Sequence, residues 1–318
     1  MKRLSIGSWA YSIGPYAHNP VDFDTVCQTL KKYKFDGVEL GGFKPHPNPD
    51  DFPTRESRQA LAEKVKGYGL AFSGLAADLG SQKLVNTDDP KPYFQTFLKN
   101  ADFCVDLGIK TIRVDTLLPA AKYHEVDPRT AFKRVVQTWR KCAKAAADRG
   151  LNICWEFEPG FVFNKPSDIF RILEAVPDAN FGVLYDTCHG QMVAVIGALQ
   201  PGKKETLAGG QLEFIARLDG RINHLHLIDS NNACHRNEQG EEETSEHVPF
   251  GEGVLDFAGI LGALAKLKMP HDWWTIDLCF WPDAWTATQR CKKILDGYNR
   301  KFGGPAPKAK AQAKAKAK

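Results

Sequence analysis

The 318-residue chain has no run of about 18 apolar residues, which excludes a membrane-spanning helix. Met1-Lys2-Arg3-Leu4 leads directly into a strand-like segment and not into a secretory apolar core, so a cytoplasmic location and no membrane partner are expected. None of the eight cysteines (27, 104, 142, 154, 188, 234, 279 and 291) forms a Cys-x-x-Cys pair, and most fall in apolar helical or strand patterns. There reduced cysteine behaves as a small hydrophobe, which fits a reducing compartment and argues against a zinc cluster or a disulfide framework. No G-x-G-x-x-G or Walker sequence opens a helix, which weakens any nucleotide-cofactor reading. Strong net charge is also missing. The formal charge is +4, but lysines 308, 310, 314, 316 and 318 lie in the last eleven residues, and without them it becomes −1. The remainder is near neutral and offers no basic stripe for nucleic acid. The Lys/Ala-rich segment after Gly303-Gly304-Pro305 contains no apolar residue larger than alanine and is expected to be disordered over 303–318.

What is present is a full core. A 43% hydrophobic content over this length suits one barrel-sized domain, and nothing calls for a second. Strand-like runs recur near 3–8, 36–41, 70–76, 109–115, 151–158, 181–186, 222–228 and 273–279. Amphipathic helices separate them; Phe132, Val135, Val136, Trp139, Cys142, Ala143 and Ala146 follow i, i+3, i+4 spacing, as do Phe257, Ile260, Leu261, Leu264 and Leu267. Eight β-then-α units predict a single α/β domain over 1–302, a closed (β/α)8 TIM barrel, in preference to an open doubly wound sheet.

In such a barrel the strand ends build one mouth, and chemistry-bearing residues collect there. Strand five ends with Glu156 and Glu158, strand six with Asp186 and then His189, strand seven with His226 and Asp229, and strand eight with Asp277. His224 and His226 share a face, with His224 about 7 Å deeper by strand rise, so His226 is the better metal ligand and His224 a hydrogen-bonded interior imidazole. Glu156 and Glu158 also share a face, and position alone does not separate them as the strand-five ligand. Inward-facing carboxylates need a metal or cation partner. One imidazole with three carboxylates suits a single divalent ion, Mn²⁺ first, with Mg²⁺, Co²⁺ or Zn²⁺ allowed.

The segments Tyr185-Asp186-Thr187-Cys188-His189 and His224-Leu225-His226-Leu227-Ile228-Asp229 resemble the Asp-x-x-His and His-x-His-x-x-Asp/Glu segments of the xylose-isomerase-like barrels, in particular the sugar (phosphate) isomerase/epimerase branch. Gly37-Val38-Glu39-Leu40 and Pro249 to Asp256 add weaker elements, and the resemblance runs from about Leu4 to Tyr298. It implies metal ligation by Glu156, Asp186, His226 and Asp277, and contact of His189 with a substrate oxygen. Two departures stand out. The strand-eight acid is Asp277 where the ketose 3-epimerases usually carry glutamate, and the arginine that follows their His-x-His segment is absent from Ser230 to His235. A relative acting on another polyol, keto-sugar or cyclitol is therefore favoured over a strict ketose 3-epimerase.

The resemblance implies an isomerase or epimerase working by proton abstraction through an enediolate, with Glu156 or Glu158 and Asp277 flanking the reacting carbon. The same machinery can run as a lyase or dehydratase on a keto-sugar, keto-glycoside or keto-cyclitol. Trp9, Phe161, Phe280, Trp281 and Trp285 follow strands at the mouth and can stack on a sugar ring or pack the rim. Lys44 and His46 can contact substrate or mark a rigid turn, and Glu39 can bind substrate or pair with a nearby cation. The partner is a small carbohydrate or cyclitol, and homo-oligomerisation is compatible with this reading. An apurinic-site endonuclease would need a trinuclear zinc site and more strand-end histidines than this chain's nine provide; a non-catalytic sugar-binding barrel would not need the entire ligand ring.

Overall fold

The computed structural model describes residues 1–116 and 126–304; the Lys/Ala-rich tail expected from the sequence falls almost wholly outside them. In chain order the strands are β1 (Arg3–Ile6), β2 (Gly37–Gly42), β3 (Ala71–Ala77), β4 (Thr111–Val114), β5 (Asn152–Glu156), β6 (Phe181–Asp186), β7 (Ile222–Leu227), β8 (Asp229–Arg236), β9 (Glu242–Val248) and β10 (Trp273–Ile276). Eight of them form one parallel sheet in the order β1-β10-β7-β6-β5-β4-β3-β2, and the Gly7–Glu39 bridge joins its two ends into a barrel. The chain is thus a single (β/α)8 barrel. The remaining pair, β8 and β9, is an antiparallel hairpin inserted after β7.

The helices among the described residues are α1 (Phe23–Lys32), α2 (Arg55–Gly67), α3 (Lys91–Leu107), α4 (Pro128–Ala147), α5 (Pro166–Ala175), α6 (Thr187–Gln191), α7 (Gly210–Arg217), α8 (Phe257–Leu264) and α9 (Ala284–Phe302). None is long and apolar enough to cross a membrane. Helix α4 shows why the sequence folds this way. Asp127 caps its first turn through the Thr130 amide, Pro128 supplies a pre-set φ at N1, and Val135, Trp139, Cys142 and Ala146 bury one face against the sheet. Gly108 ends α3 at φ +74°, a left-handed turn that costs glycine little. All eight cysteines are unpaired.

Five of the eight barrel strands are shorter than the sequence predicted, β6 matches it, β2 and β3 are shifted by one residue, and β5 and β10 stop before Glu158 and Asp277. Those two residues sit just past the strand ends, where the chain turns outward and carboxylates can face a cavity.

Candidate functional site

Glu156, Asp186, His226 and Asp277 converge at the C-terminal end of the barrel, with one candidate donor atom from each lying within 4.8 Å of all the others. All four are buried, the most accessible being Asp277 at 3%. Register sets this up: Asp186 pairs with His226 across β6 and β7, and Thr275 with His226 across β7 and β10, so the acids that follow arrive at one level.

Beneath this ring a second polar layer fixes the imidazoles. The Trp273 amide donates to His271 Nδ1 at 3.1 Å, which leaves the His271 Nε2–H to donate to His224 Nδ1 at 2.8 Å. His224 Nε2–H in turn donates to Glu39 Oε2 at 2.6 Å. The other oxygen of Glu39 lies 3.2 Å from His226 Nε2, off the line of a well-aligned hydrogen bond. Gly74 makes room for this layer, since a Cβ there would stand 3.2 Å from the Glu39 carboxyl and 3.3 Å from His224 Nε2. Pairing of His226 Nε2 with Glu39 turns Nδ1 upward, where Glu156 Oε1 stands at 3.1 Å and Asp277 Oδ2 at 3.0 Å.

A ring nitrogen between two carboxylates must either carry a proton and donate it or face a positive charge. Burial works to lower the His226 pKa, but Glu39 and Asp277 draw it well up. A divalent cation meets the same demand. Asp186 supports this fit: Oδ1 accepts the amides of Cys188 and His189 at 2.7 and 2.8 Å, whereas Oδ2 is buried with no partner. Burial pushes the Asp186 carboxyl up to about 7, against the pull of His247. His247 Nε2 is likewise buried without a partner, 3.8 Å from Asp186 Oδ1. Unsatisfied buried atoms are costly in a finished core and ordinary in a site that awaits a ligand. The donor set fits a divalent ion, with the second-layer carboxylate behind the imidazole that such sites commonly have.

Around the ring stand four groups the sequence reading passed over. Arg113 of β4 reaches Glu156 Oε2 at 2.6 Å and Asp115 at 2.9 Å. Burial acts to raise the Glu156 pKa, but the guanidinium and His226 together hold it down to about 2. Arg113 had a signal: a cation in an apolar strand, two residues before an acid. His247 and Ser245 come from β9, a polar strand with no apolar alternation to announce it; Ser245 Oγ bonds His189 Nδ1 at 2.9 Å and His247 Nδ1 bonds the Asp277 carbonyl at 3.1 Å. Thr244 of the same strand donates to Glu158 Oε2 at 2.9 Å. Burial, then the Glu156 charge, pushes the Glu158 carboxyl up to about 8. His189 Nε2 faces Glu158 Oε2 at 3.9 Å, and burial followed by the His247 charge pushes its pKa down to about 3.

The other residues singled out from sequence are distributed as follows. Trp9 lines the cavity and donates to Asp277 Oδ1 at 2.7 Å, an oxygen that Cys279 Sγ also approaches at 3.1 Å. Glu39 lies below the ring as a partner of two histidines, out of contact with the cavity. Lys44 is exposed and 3.5 Å from Asp51, and His46 is buried with a ring nitrogen 3.0 Å from the Val21 carbonyl, so neither lines the cavity. Trp281 packs against the core while its neighbour Phe280 faces the cavity. Asp229, counted with the ring from sequence, instead organises the loop before α8 by accepting the amides of Ser230, Gly251 and Leu255. Gly251 and Gly253 therefore belong to that turn.

The family model described as xylose isomerase-like TIM barrel matches residues 27–293. Among curated proteins, the chain is similar to an inosose dehydratase of Geobacillus thermodenitrificans, 21% identical over 277 residues covering 80% of this chain and 82% of the relative. Among solved structures, the fold matches an IOLI protein with a bound zinc atom (TM-score 0.70, 18% identity, 95% of this chain and 99% of that one). It matches a D-tagatose 3-epimerase-like protein about as well (TM-score 0.68, 17% identity, 95% and 99%).

Proposed function

The chain belongs to the xylose isomerase-like TIM barrel family, and from that premise we propose that it is a divalent-metal enzyme, Mn²⁺-dependent by preference, that removes a proton next to the carbonyl of an uncharged keto-sugar or keto-cyclitol. The observation that carries this reading is His226 Nδ1 held between two carboxylates, with the free Oδ2 of Asp186 beside it. Glu156, Asp186, His226 and Asp277 would hold the ion, and three carboxylates with one imidazole make a hard donor set. A bound cation supplies Lewis-acid polarisation of the substrate carbonyl, which lowers the cost of taking the adjacent proton.

Glu158 is the base in this proposal. It borders the cavity, has Thr244 on one oxygen, and lies beside His189. Trp9 and Cys279 hold Asp277 Oδ1 and His226 faces Oδ2, so Asp277 acts chiefly as a ligand. Two routes follow proton removal. In isomerisation or epimerisation the proton returns to a carbon of the same skeleton. In elimination the C–H electron pair becomes a C=C bond, the C–O bond on the next carbon breaks, and the departing oxygen takes back the proton that Glu158 accepted.

The second route is supported by a specific observation. Glu158 and His189 stand side by side, whereas Asp277, the acid expected across the reacting carbon, has both oxygens engaged by Trp9, Cys279 and His226. The similarity to an inosose dehydratase points the same way, while the epimerase-like fold neighbour suits the first. The reading includes a reducing, cytoplasmic compartment, supported by eight unpaired cysteines. Metal-loaded enzyme incubated in D₂O with a panel of keto-sugars and keto-cyclitols should exchange deuterium into one substrate carbon, and Glu158→Gln should reduce the rate about 10²–10⁴-fold. Rates unchanged by Glu158→Gln, or label passing between substrate carbons with no solvent exchange, would refute it.

A further inference from the structure

The cavity above the ring measures about 850 Å³. A free hexose or cyclitol fills on the order of 200 Å³, taking each of its dozen heavy atoms as somewhat over half of a water's ~30 Å³. The cavity is therefore in the range that receives drug-sized ligands. Its wall is divided by chemistry. The acids, Arg113 and the imidazoles of the ring are buried or nearly so, while Ile13, Phe43, Phe161, Leu199, Pro201 and Phe280 line the same cavity half-buried, closer to solvent. These six carry no side-chain hydrogen-bonding group, so they favour an apolar group over the hydroxyls of a second sugar.

Two of them are held at a backbone cost. Leu199 and Phe280 have φ +52° and +56°, a region non-glycine side chains seldom occupy and that functional sites tolerate. The Phe280 ring stacks on His235 of the β8–β9 hairpin with centroids 4.1 Å apart and planes 7° from parallel, and Gly14 lets it approach, since a Cβ there would stand 2.8 Å from the ring. Gly160 at φ +94° brings the loop carrying Phe161 against the same hairpin, where a Cβ would stand 1.9 Å from the Glu243 carbonyl. The hairpin thus carries one wall and steadies the aromatic groups beside it. Charge narrows the ligand further. Glu241, Glu242 and Glu243 rim the cavity, with Glu242 paired to Arg236, and Arg113, the one arginine or lysine on its described lining, is occupied by Glu156 and Asp115. Among the described lining residues a phosphate has no cradle and meets acidic side chains instead.

We propose that the substrate is an uncharged keto-sugar or keto-cyclitol carrying an aromatic or otherwise apolar O-linked group, with the carbonyl end over the ring and the apolar group among Phe43, Phe161, Leu199 and Phe280. This deepens the function proposed above and rests on it. Calorimetric titration of the Mn²⁺-loaded and metal-free protein with phenyl β-D-glucoside, cellobiose, glucose and glucose 6-phosphate reads the apolar subsite without turnover. The phenyl glucoside should bind about 10–100-fold more tightly than glucose, as burial of a phenyl group implies. Cellobiose should gain no such factor, and glucose 6-phosphate should bind worst. Phe280→Ala and Phe161→Ala should each remove most of the phenyl advantage, and two variants guard against one misfolding. Equal binding of phenyl glucoside and glucose, or cellobiose matching the phenyl glucoside, would overturn the proposal. The companion measurement is deuterium exchange with a phenyl keto-glucoside and with the free keto-sugar. Exchange that is equally efficient with both sinks the apolar subsite and leaves the metal reaction standing, whereas selective phenyl binding without metal-dependent exchange from any keto compound sinks the reaction and the substrate assignment with it.

Discussion

Two polar layers fill the barrel, and they differ in how their atoms are satisfied. In the lower layer Trp273 N–H, His271, His224 and Glu39 form a chain in which each donor meets an acceptor. In the upper layer, a few ångströms higher, Asp186 Oδ2 and His247 Nε2 have no partner and four acidic or imidazole groups crowd within 4.8 Å. His224, Glu39 and the whole upper ring are buried, so burial does not separate scaffold from site. What separates them is completeness: the lower layer is finished by its own donors and acceptors, and in the upper one buried ligand-type atoms have no partner among the described residues. Functional sites are where a protein carries such local conflict.

Substitutions in the two layers should therefore fail differently. The largest effect expected is in the upper layer: His226→Ala should abolish stoichiometric metal and bring turnover to background, with the circular dichroism spectrum retained. An intact metal content would remove His226 from the ligand set. Next, Glu39→Ala should cost about 3–5 kcal/mol of stability, because it leaves two buried imidazoles without their common carboxylate. It should also weaken metal binding about 10–100-fold through loss of the group behind His226. Urea denaturation of the metal-free variant reads the first effect and competition with a chelating dye the second; loss of metal affinity with no loss of stability would dissolve the distinction between the layers.

Metal removal itself should have an intermediate effect. With free metal at about 100 times Kd, the loaded protein should be roughly 2.7 kcal/mol more stable than the stripped one, seen as a rise in Tm that grows with metal concentration. A Tm indifferent to metal would deny that the upper layer is completed by an ion. The smallest effect should come from Gly74→Ala, where the new Cβ stands 3.2 Å from Glu39 and needs a displacement of a few tenths of an ångström. Overpacking of this kind costs about 1–3 kcal/mol, so a stabilised variant would mean that the lower layer is looser than its distances suggest.

Much of the upper layer was legible because strand parity and an acid or imidazole at a strand end are local properties. Asp186, His226 and Asp277 were candidates in this way, with Glu156 and Glu158 left unseparated until the family resemblance favoured Glu156, and Asp186 and His226 are register partners on β6 and β7. The eight barrel strands were legible too, with ends that differ by up to three residues. The β8–β9 hairpin was not. Asp229-Ser230-Asn231-Asn232-Ala233-Cys234-His235-Arg236 has neither a β-branched run nor apolar alternation, because the strand lies over the mouth and faces solvent for much of its length. With it were missed Thr244, Ser245 and His247, whose roles depend on tertiary placement. The role of Glu39 was open between substrate and cation partner, since sequence gives depth along a strand but not which imidazole lies opposite. Asp229 misled for the same reason, its carboxylate being turned back onto its own loop.

The most direct test of the account is metal stoichiometry by inductively coupled plasma mass spectrometry on the purified, metal-saturated and desalted protein, wild type beside Asp186→Asn. The wild type should hold one divalent ion per chain, and Asp186→Asn should hold close to none while its metal-free form melts no lower than the metal-free wild type, because the substitution relieves the crowding of carboxylates. One ion per chain in both proteins, or none in either after saturation, would contradict it.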